Sequence, residues 1–260
     1  STIEMNMKIT IIKNSKLDKM KGLRKNFYIF LRYLYYKYVK KISNPKVYHY
    51  NFDGIATTHN CDFMKNDNFV RSYSRAKKVF DFEFEMPFRA HQAIWATRNA
   101  FRLDGDFIEF GTAHGFMMTC ILENIKEWDY SDKKIWLFDT FIKSKDKSVS
   151  KFYSDDINQV RKNFSEWKNV NIIQGKLPET LIKSEDIKKI SFVHVDLNSP
   201  EVEYECLKLI WTKIVDGGII LFDDYAFKGF EKTYKLMNKF AKEKNRMILT
   251  TPSGQGILIK

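Results

Sequence analysis

Carboxylate side chains stand at the ends of three short apolar runs in the second half of the chain. They are Asp139, Asp196 and the adjacent pair Asp223 and Asp224. Where such runs are neighbouring parallel strands, their carboxyl ends meet at one edge of a sheet, and the acids converge on one crevice. An Asp after a strand often only caps the next helix. Clustered acids raise one another's pKa values unless a cation or hydrogen-bond donors lie among them, so we expect this set to be functional.

Asp196, Asp223 and Asp224 have the composition of a site for a hard cation. All three offer oxygen, and no Cys or His belongs to the set, which favours Mg²⁺ or Ca²⁺ over zinc. Asn198 is a fourth candidate ligand. A divalent cation that bound two vicinal hydroxyls of a substrate would orient them and lower the pKa of one of them. The pattern therefore predicts a magnesium-type site that activates a hydroxyl group.

A glycine turn precedes these acids and is typical of a cofactor site. An apolar run containing Glu109 ends at Gly111, and a helical pattern opens after Gly115. Glycine reaches backbone angles closed to other residues, and its missing side chain lets a flat cofactor approach the main chain. Glu109 indicates a ligand with positive charge or hydroxyls. The spacing differs from the dinucleotide motif Gly-x-Gly-x-x-Gly, so a pyrophosphate site is the weaker interpretation.

Asp139 fits an adenosine cofactor at the same place. A carboxylate at the end of the second strand can accept hydrogen bonds from both ribose hydroxyls. Nicotinamide cofactors are bound in the same way, so Asp139 alone does not separate the two classes. The glycine spacing and the lack of a second glycine motif favour S-adenosylmethionine.

Residues 80–260 must supply the elements that bring these side chains together. Strand and helix patterns alternate along this part of the chain. The predicted strands are 107–110, 135–138, 170–173, 190–195, 219–222, 247–249 and 256–259. Helical patterns separate the first five, and a tight turn at 252–254 joins the last two. This alternation predicts an α/β fold with a doubly wound, mostly parallel sheet and one antiparallel strand near an edge.

Residues 1–79 are predicted to form a basic helical arm and lid. The net charge of the chain is +12, and residues 1–50 hold twelve Lys or Arg against only two acidic residues. Apolar residues at helical spacing predict an amphipathic helix over 20–41. It could lie on an anionic membrane surface or on nucleic acid. An aromatic stripe of this kind more often packs on the protein itself or on a second subunit, which makes the helix a candidate homodimer contact. Residues 46–79 show no clear period and are interpreted as a connecting or lid segment.

Two polar residues of the helix predicted after Pro87 can be interpreted in different ways. His91 lies among apolar and aromatic residues and is interpreted as structural. Its neighbour Arg89 could serve the active site.

The cysteines and the hydropathy bear on the compartment. Three widely spaced Cys fit neither a disulfide framework nor a zinc site, so we expect a reducing, cytoplasmic compartment. No run of 18 apolar residues and no signal-peptide pattern occurs, so no transmembrane segment is expected.

Five motifs, in this order, resemble those of the macrocin O-methyltransferase family. They are Asp106–Gly111 with Gly115, Phe138–Phe141, Gln174–Leu181, His194–Asn198 and Gly217–Tyr225. The resemblance covers residues 86–260. It implies a Rossmann-like class I methyltransferase sheet with an N-terminal helical lid. It also implies Mg²⁺-dependent transfer of a methyl group from S-adenosylmethionine to a hydroxyl of a sugar, a glycan or a glycosylated small molecule.

The resemblance also implies roles for individual residues. The cofactor would be held by Glu109, Gly111, Thr112, Ala113, Gly115, Asp139, Thr140, Phe141, Gln174 and Gly175, the last two near the adenine. The metal would be held by Asp196, Asp223 and Asp224. Many family members have a second Asp two residues after the first metal ligand, where this chain has Asn198. We expect Asp196 or a water on the metal to remove the hydroxyl proton, with His194 a weaker candidate.

Other functions fit parts of the pattern. A nicotinamide-dependent oxidoreductase would use the same fold and the same Asp139. A nucleic-acid methyltransferase is disfavoured because the segment 196–200 lacks the Asn/Asp-Pro-Pro-aromatic motif of base N-methylation. A non-enzymatic module that binds nucleic acid or membrane through the basic helix is a third interpretation. Sugar O-methylation accounts for most of the motifs.

Overall fold

The computed structural model of the chain describes residues 49–82, 84–147 and 149–260. Residues 51–56 and 60–260 form one compact unit, and a second unit comprises residues 1–50 and 57–59. The basic helix predicted over 20–41, and the dimer contact expected of it, lie outside the described residues. Within the described ranges, no helix is both long enough and apolar enough to cross a bilayer.

Nine strands are found in the described part of the chain. Two short ones form a hairpin, β1 (Tyr50–Phe52) and β2 (Ile55–Thr57). The other seven form the central sheet: β3 (Asp106–Phe110), β4 (Ile135–Asp139), β5 (Val170–Gln174), β6 (Ile190–Val195), β7 (Ile214–Phe222), β8 (Leu249–Thr250) and β9 (Gly256–Ile259).

The central sheet has the order β5-β4-β3-β6-β7-β9-β8. The five strands from β5 to β7 pair in parallel, and β9 is antiparallel to both of its neighbours. The predicted doubly wound α/β fold, with one antiparallel strand near an edge, is therefore confirmed. The strand β7 begins five residues before the predicted start at Ile219, because Gly217 and Gly218 lie within it rather than before it.

Seven α-helices accompany the strands in the described ranges. They are α1 (Asp67–Val79), α2 (Pro87–Ala100), α3 (Phe116–Asn124), α4 (Ile157–Asn163), α5 (Glu179–Ile182), α6 (Pro200–Ile210) and α7 (Glu231–Glu243). Three short 3-10 helices cover Asp62–Lys65, Lys126–Tyr130 and Ser150–Phe152.

Side chains alternate between the two faces of the sheet, so each central strand contributes to two apolar layers. Phe107 of β3 belongs to a cluster with residues of α2, α3 and α4. The next residue, Ile108, belongs to a cluster with residues of α5, α6 and α7. Both side chains are completely buried, and burial of one such side chain stabilises the fold by roughly 2–3 kcal/mol.

On the face of the sheet that packs against α2, three polar side chains lie near the carboxyl ends of the strands. They are Glu109, His194 and Asp223, and each lies two residues after a member of the apolar cluster on that face. Because successive residues of a strand point to opposite faces, this spacing turns the three side chains to the same side. The sheet itself thus brings them together.

The helix α1 lies within residues 46–79, the segment interpreted from the sequence as a connecting or lid segment without a clear period. Its buried residues are Phe69, Ser72 and Ala76, and the partly buried Tyr73 packs with them, so its apolar residues do recur at helical spacing. It packs on α3, and its Arg71 donates a hydrogen bond to Glu123 at 2.8 Å. Asn66 caps its first turn by accepting two backbone N–H bonds.

Candidate active site

The turn after β3 is built from residues with positive φ. Gly111 has φ +90°, Ala113 +48° and Gly115 +88°. A Cβ at Gly111 would overlap the backbone carbonyl of Asp196, and one at Gly115 would overlap the ring of Phe164. The protein's own packing therefore requires both glycines, which is a different reason from the cofactor approach argued from the sequence. The turn brings the carboxyl ends of β3 and β6 into backbone contact.

Asp139 joins the turn after β4 to the turn after β3. Its Oδ2 accepts a hydrogen bond from the backbone N–H of Ala113 at 2.7 Å, and its Oδ1 accepts one from Phe141 at 2.8 Å. Each carboxylate oxygen has a second lone pair, so the group can still accept ribose hydroxyls. Asp139 lies where the sequence predicts it, at the carboxyl end of β4.

The other predicted cofactor residues lie at the ends of three adjacent strands, β3, β4 and β5. Gln174 is exposed and donates to the carbonyl of Thr140 at 3.3 Å, and Gly175 donates its N–H to the carbonyl of Asp139 at 2.9 Å. The ring of Phe141 is only 3% exposed and belongs to the core on the α2 face. Phe141 therefore offers little surface to a cofactor.

Two buried polar atoms beside the glycine turn lack a hydrogen-bond partner among the described residues. They are Oε2 of Glu109 and Oγ1 of Thr112. Leaving such atoms unpaired costs free energy, so they fit a bound group that supplies a donor. A cofactor with ammonium or hydroxyl groups, such as S-adenosylmethionine, has the required chemistry.

The three acids predicted to bind metal come together. One carboxylate oxygen from each of Asp196, Asp223 and Asp224 lies within 4.8 Å of the others. Burial, and then the charges of Asp223 and Asp224, raise the pKa of Asp196 well above its usual value. Burial and the charge of Asp223 raise the pKa of Asp224 to about 6. The ionised forms of Asp196 and Asp224 are therefore disfavoured in the absence of a cation, and a bound cation would stabilise them.

Asp223 differs from the other two acids because protein donors hold both of its oxygens. Oδ2 accepts from Nη1 of Arg89 at 2.7 Å, and Oδ1 accepts from Nε2 of Gln255 at 2.8 Å. Nε2 of His194 lies 3.7 Å from Oδ1. Burial raises the pKa of Asp223, but the positive charges of Arg89 and His194 outweigh it and hold that pKa below its usual value.

Arg89, in the first turn of α2, also contacts the turn between β1 and β2. Its Nε donates to Oδ2 of Asp53 at 2.7 Å, and its guanidinium lies 4.9 Å from the ring centroid of Phe227. The sequence named Arg89 only as a candidate, and it gave Asp53 and Gln255 no role beyond their turns. No local signal relates these residues, because they are distant in the chain and meet only through the sheet.

The side chain of His194 is enclosed between two carboxylates. Its side chain is 1% exposed, and Nδ1 lies 2.9 Å from Oε1 of Glu109. Burial alone would lower its pKa, but the carboxylates of Asp223 and Glu109 raise it to about 10. The burial of this ring between carboxylates favours Asp196 as the base, and His194 stays the weaker candidate.

His91 has the structural role expected of it. Its ring stacks on Phe63 with the ring centroids 4.1 Å apart, and burial lowers its pKa.

Residues 108–225 match a family model described as a methyltransferase domain. The chain carries a methyltransferase domain. No curated protein matches the sequence of this methyltransferase.

Solved structures share the fold at low identity. The O-methyltransferase NovP is 16% identical, with a TM-score of 0.57 over 66% of this chain and 79% of NovP. CalS11, described as a TDP-rhamnose 3′-O-methyltransferase of calicheamicin biosynthesis, is 15% identical, with a TM-score of 0.52 over 77% of this chain and 96% of CalS11. The methyltransferase PaMTH1 of Podospora anserina, solved with S-adenosylhomocysteine, is 16% identical, with a TM-score of 0.50 over 75% of this chain and 88% of PaMTH1.

At these identities the structural likeness establishes the fold, and the family match establishes the domain. Together they support an S-adenosylmethionine-dependent O-methyltransferase. The predicted methyltransferase fold and enzyme class are confirmed.

Proposed function

We propose that this methyltransferase transfers a methyl group from S-adenosylmethionine to a hydroxyl group of a sugar, a glycan or a glycosylated small molecule, with a divalent cation such as Mg²⁺. The observation that carries the proposal is the contact between the glycine turn and the acids. Because Gly111 lies against the backbone of Asp196, the cofactor turn and the acidic cluster share one edge of the sheet.

The residues around the turn would bind and orient the methyl donor. S-adenosylmethionine supplies a methyl carbon on a sulfonium, so the new O–C bond forms as the C–S bond breaks and S-adenosylhomocysteine leaves. Asp139 would accept the ribose hydroxyls, and the unpaired oxygens of Glu109 and Thr112 would accept donors of the same cofactor. Holding the oxygen, carbon and sulfur atoms in line would supply most of the rate.

The acidic cluster would hold the acceptor hydroxyl and take its proton. Carboxylates of this cluster, to which no Cys or His belongs, fit a hard cation, which would lower the pKa of a bound hydroxyl. In the described part of the chain, neither carboxylate oxygen of Asp196 accepts a hydrogen bond. Asp196 is therefore the free carboxylate for proton removal, and the proton of the hydroxyl would move to it as the O–C bond forms.

The acceptor class rests on two lines of support. The motifs of this chain resemble those of sugar O-methyltransferases, and CalS11, which shares the fold, is described as acting on TDP-rhamnose. We propose that residues 1–79 form the arm and lid that would select the acceptor. The basic helix predicted over 20–41 is the candidate dimer contact. The buried free thiols of Cys120 and Cys206 agree with the cytoplasm as the compartment.

The test is methyl transfer from labelled S-adenosylmethionine to a panel of glycans and nucleotide sugars, with and without chelator. Asp196→Asn should lower kcat about 10²-fold or more. The dissociation constant for S-adenosylmethionine, measured by calorimetry, should stay within about threefold, because Asp196 acts on the acceptor. Asp186→Asn, at an exposed loop position, is the matched control. An Asp196→Asn protein that methylates at full rate would exclude Asp196 as the base, and a lack of methyl transfer to every acceptor of the panel would contradict the proposed function.

A further inference from the structure

The three acids of the cluster make different contacts with the rest of the protein. Both oxygens of Asp223 accept hydrogen bonds from buried donors, Arg89 and Gln255. Asp224 has one contact with Arg89, at 3.4 Å and through Oδ1 alone. Within the described ranges, Asp196 has no hydrogen bond to either oxygen.

Asp223 is one member of a buried series of ionisable side chains that contact one another. Glu109 contacts His194 at 2.9 Å, His194 lies 3.7 Å from Asp223, Asp223 accepts from Arg89 at 2.7 Å, and Arg89 donates to Asp53 at 2.7 Å. All five side chains are at most 11% exposed. A buried charge is tolerated when opposite charges and hydrogen bonds surround it, and this series meets that condition for Asp223.

This series of contacting side chains connects two functional regions of the molecule. Glu109 is on β3, one residue before the end of the strand at the glycine turn, and its second oxygen is free for the cofactor. At the other end, Asp53 lies in the Asp53–Gly54 turn, where its φ is +48°. Arg89 is the link between Asp223 and this turn, and its guanidinium offers donors in a fixed planar fork that suits two carboxylates at once.

This inference rests on the proposed cation site. We propose that Arg89 is a positioning residue that holds Asp223 as the anchor of the 51–56 turn. Asp196 and Asp224 are then the pair that binds the cation. The charge of Asp223 is thus neutralised by Arg89, and the charges of Asp196 and Asp224 are neutralised by the divalent ion. A ligand set of two carboxylates, with remaining positions open to water and substrate hydroxyls, suits Mg²⁺.

The first test measures Mn²⁺ binding by calorimetry on the full chain, as a probe for the hard cation. Asp196→Asn and Asp224→Asn should each weaken binding about tenfold or more, because each removes a charged ligand. Asp223→Asn should change it by about threefold or less. Arg89→Gln should tighten Mn²⁺ binding, since it frees Asp223, and a purely structural role of Arg89 would not produce such a gain. Equal losses in Asp223→Asn and Asp224→Asn would overturn the proposal.

The second test needs no metal and separates this inference from the proposed function. Hydrogen exchange of the amides of 51–56 is measured on the full chain in the presence of chelator. Asp223→Asn should speed this exchange about tenfold, and Asp224→Asn should leave it near that of the unchanged protein, since Asp223 is the closer anchor of Arg89. The same exchange in both variants would refute the role of Arg89.

Two further variants keep the result interpretable. Asp53→Asn breaks the series of contacts on the turn side without touching the acidic cluster, and it should speed the exchange of 51–56 even if Arg89→Gln fails to fold. Arg89→Lys keeps the charge but lacks the fork, so it should restore only part of the protection. If the unchanged protein binds no Mn²⁺, the cation part of the proposed function fails, and the exchange measurement alone decides the role of Arg89.

Discussion

The carboxylate of Asp139 accepts a hydrogen bond from the backbone N–H of Ala113 at 2.7 Å and so ties the end of β4 to the turn after β3. The same carboxylate accepts from the backbone of Phe141. One side chain therefore shapes two of the loops that surround the predicted cofactor site. Its loss should affect the cofactor even if the ribose hydroxyls never contact it.

Asp139→Asn should weaken the binding of S-adenosylmethionine about tenfold or more. Both oxygens of Asp139 accept from backbone N–H groups, so the amide introduced by the substitution must turn its NH₂ group towards one of these donors. A donor that faces a donor in this way costs about 1–3 kcal/mol. Calorimetric titration with S-adenosylmethionine measures the effect. Asp132→Asn, at an exposed position before β4, controls for loss of one charge. Unchanged affinity in Asp139→Asn would contradict the prediction.

Gly111→Ala should destabilise the fold by about 3 kcal/mol or more. Alanine at a positive φ costs about 1–2 kcal/mol, and the new Cβ would also overlap the carbonyl of Asp196, which is backbone and cannot turn away. Urea denaturation followed by circular dichroism measures the free energy of unfolding. Gly229→Ala is the matched control. It too has a positive φ, but no atom lies within 4 Å of its added Cβ, so it should cost clearly less.

The sheet and its carboxyl edge could be predicted from the sequence because their signals are local. The run 190–195 is apolar and flanked by turns, and the predicted bounds of β6 coincide with the observed ones. Asp139, Asp196 and Asp223 were placed correctly because topology fixes where parallel strands end. The periodicity of two along each strand then decides which side chains share a face.

Residues that meet only in three dimensions were not predictable in the same way. Arg89 lies 134 residues from Asp223 and 36 from Asp53, and no pattern in the sequence relates them. The helix α1, by contrast, has a local signal, since Phe69, Tyr73 and Ala76 recur at helical spacing, and it could have been predicted from the sequence. His194 could be recognised as a buried histidine, but its carboxylate partners, which decide its charge, required the register of β3 and β6.

Glu203 of α6 should make stability depend on pH in the neutral range. Burial raises its pKa to about 7, although the backbone N–H groups of Ser199 and its neighbours oppose the shift. The folded state then binds the proton more tightly than the unfolded state, whose pKa is near 4.5. The free energy of unfolding should therefore fall as the pH rises from about 4.5 to 7 and level off above that range.

Glu203→Gln should remove this pH dependence and raise the free energy of unfolding at pH 8 by about 2–3 kcal/mol, since the amide carries no buried charge. Urea denaturation at a series of pH values between 5 and 8 is the measurement. Glu205→Gln, on the exposed side of the same helix, controls for the change in net charge. A Glu203→Gln protein with the slope of the unchanged protein would show that Glu203 is not the group responsible.

A divalent cation should stabilise the folded protein, and a chelator should reverse the effect. An ion that binds only the folded state adds about 2.7 kcal/mol at a concentration one hundred times its dissociation constant. For a domain of this size, that should raise the melting temperature by about 5–10 °C. Differential scanning calorimetry with Mg²⁺ or Mn²⁺ checks this directly. Asp196→Asn and Asp224→Asn should lose the shift while Asp186→Asn keeps it, because only the first two offer carboxylates without a strong protein donor. A shift that is equal in all three variants would mean that the ion binds elsewhere on the protein.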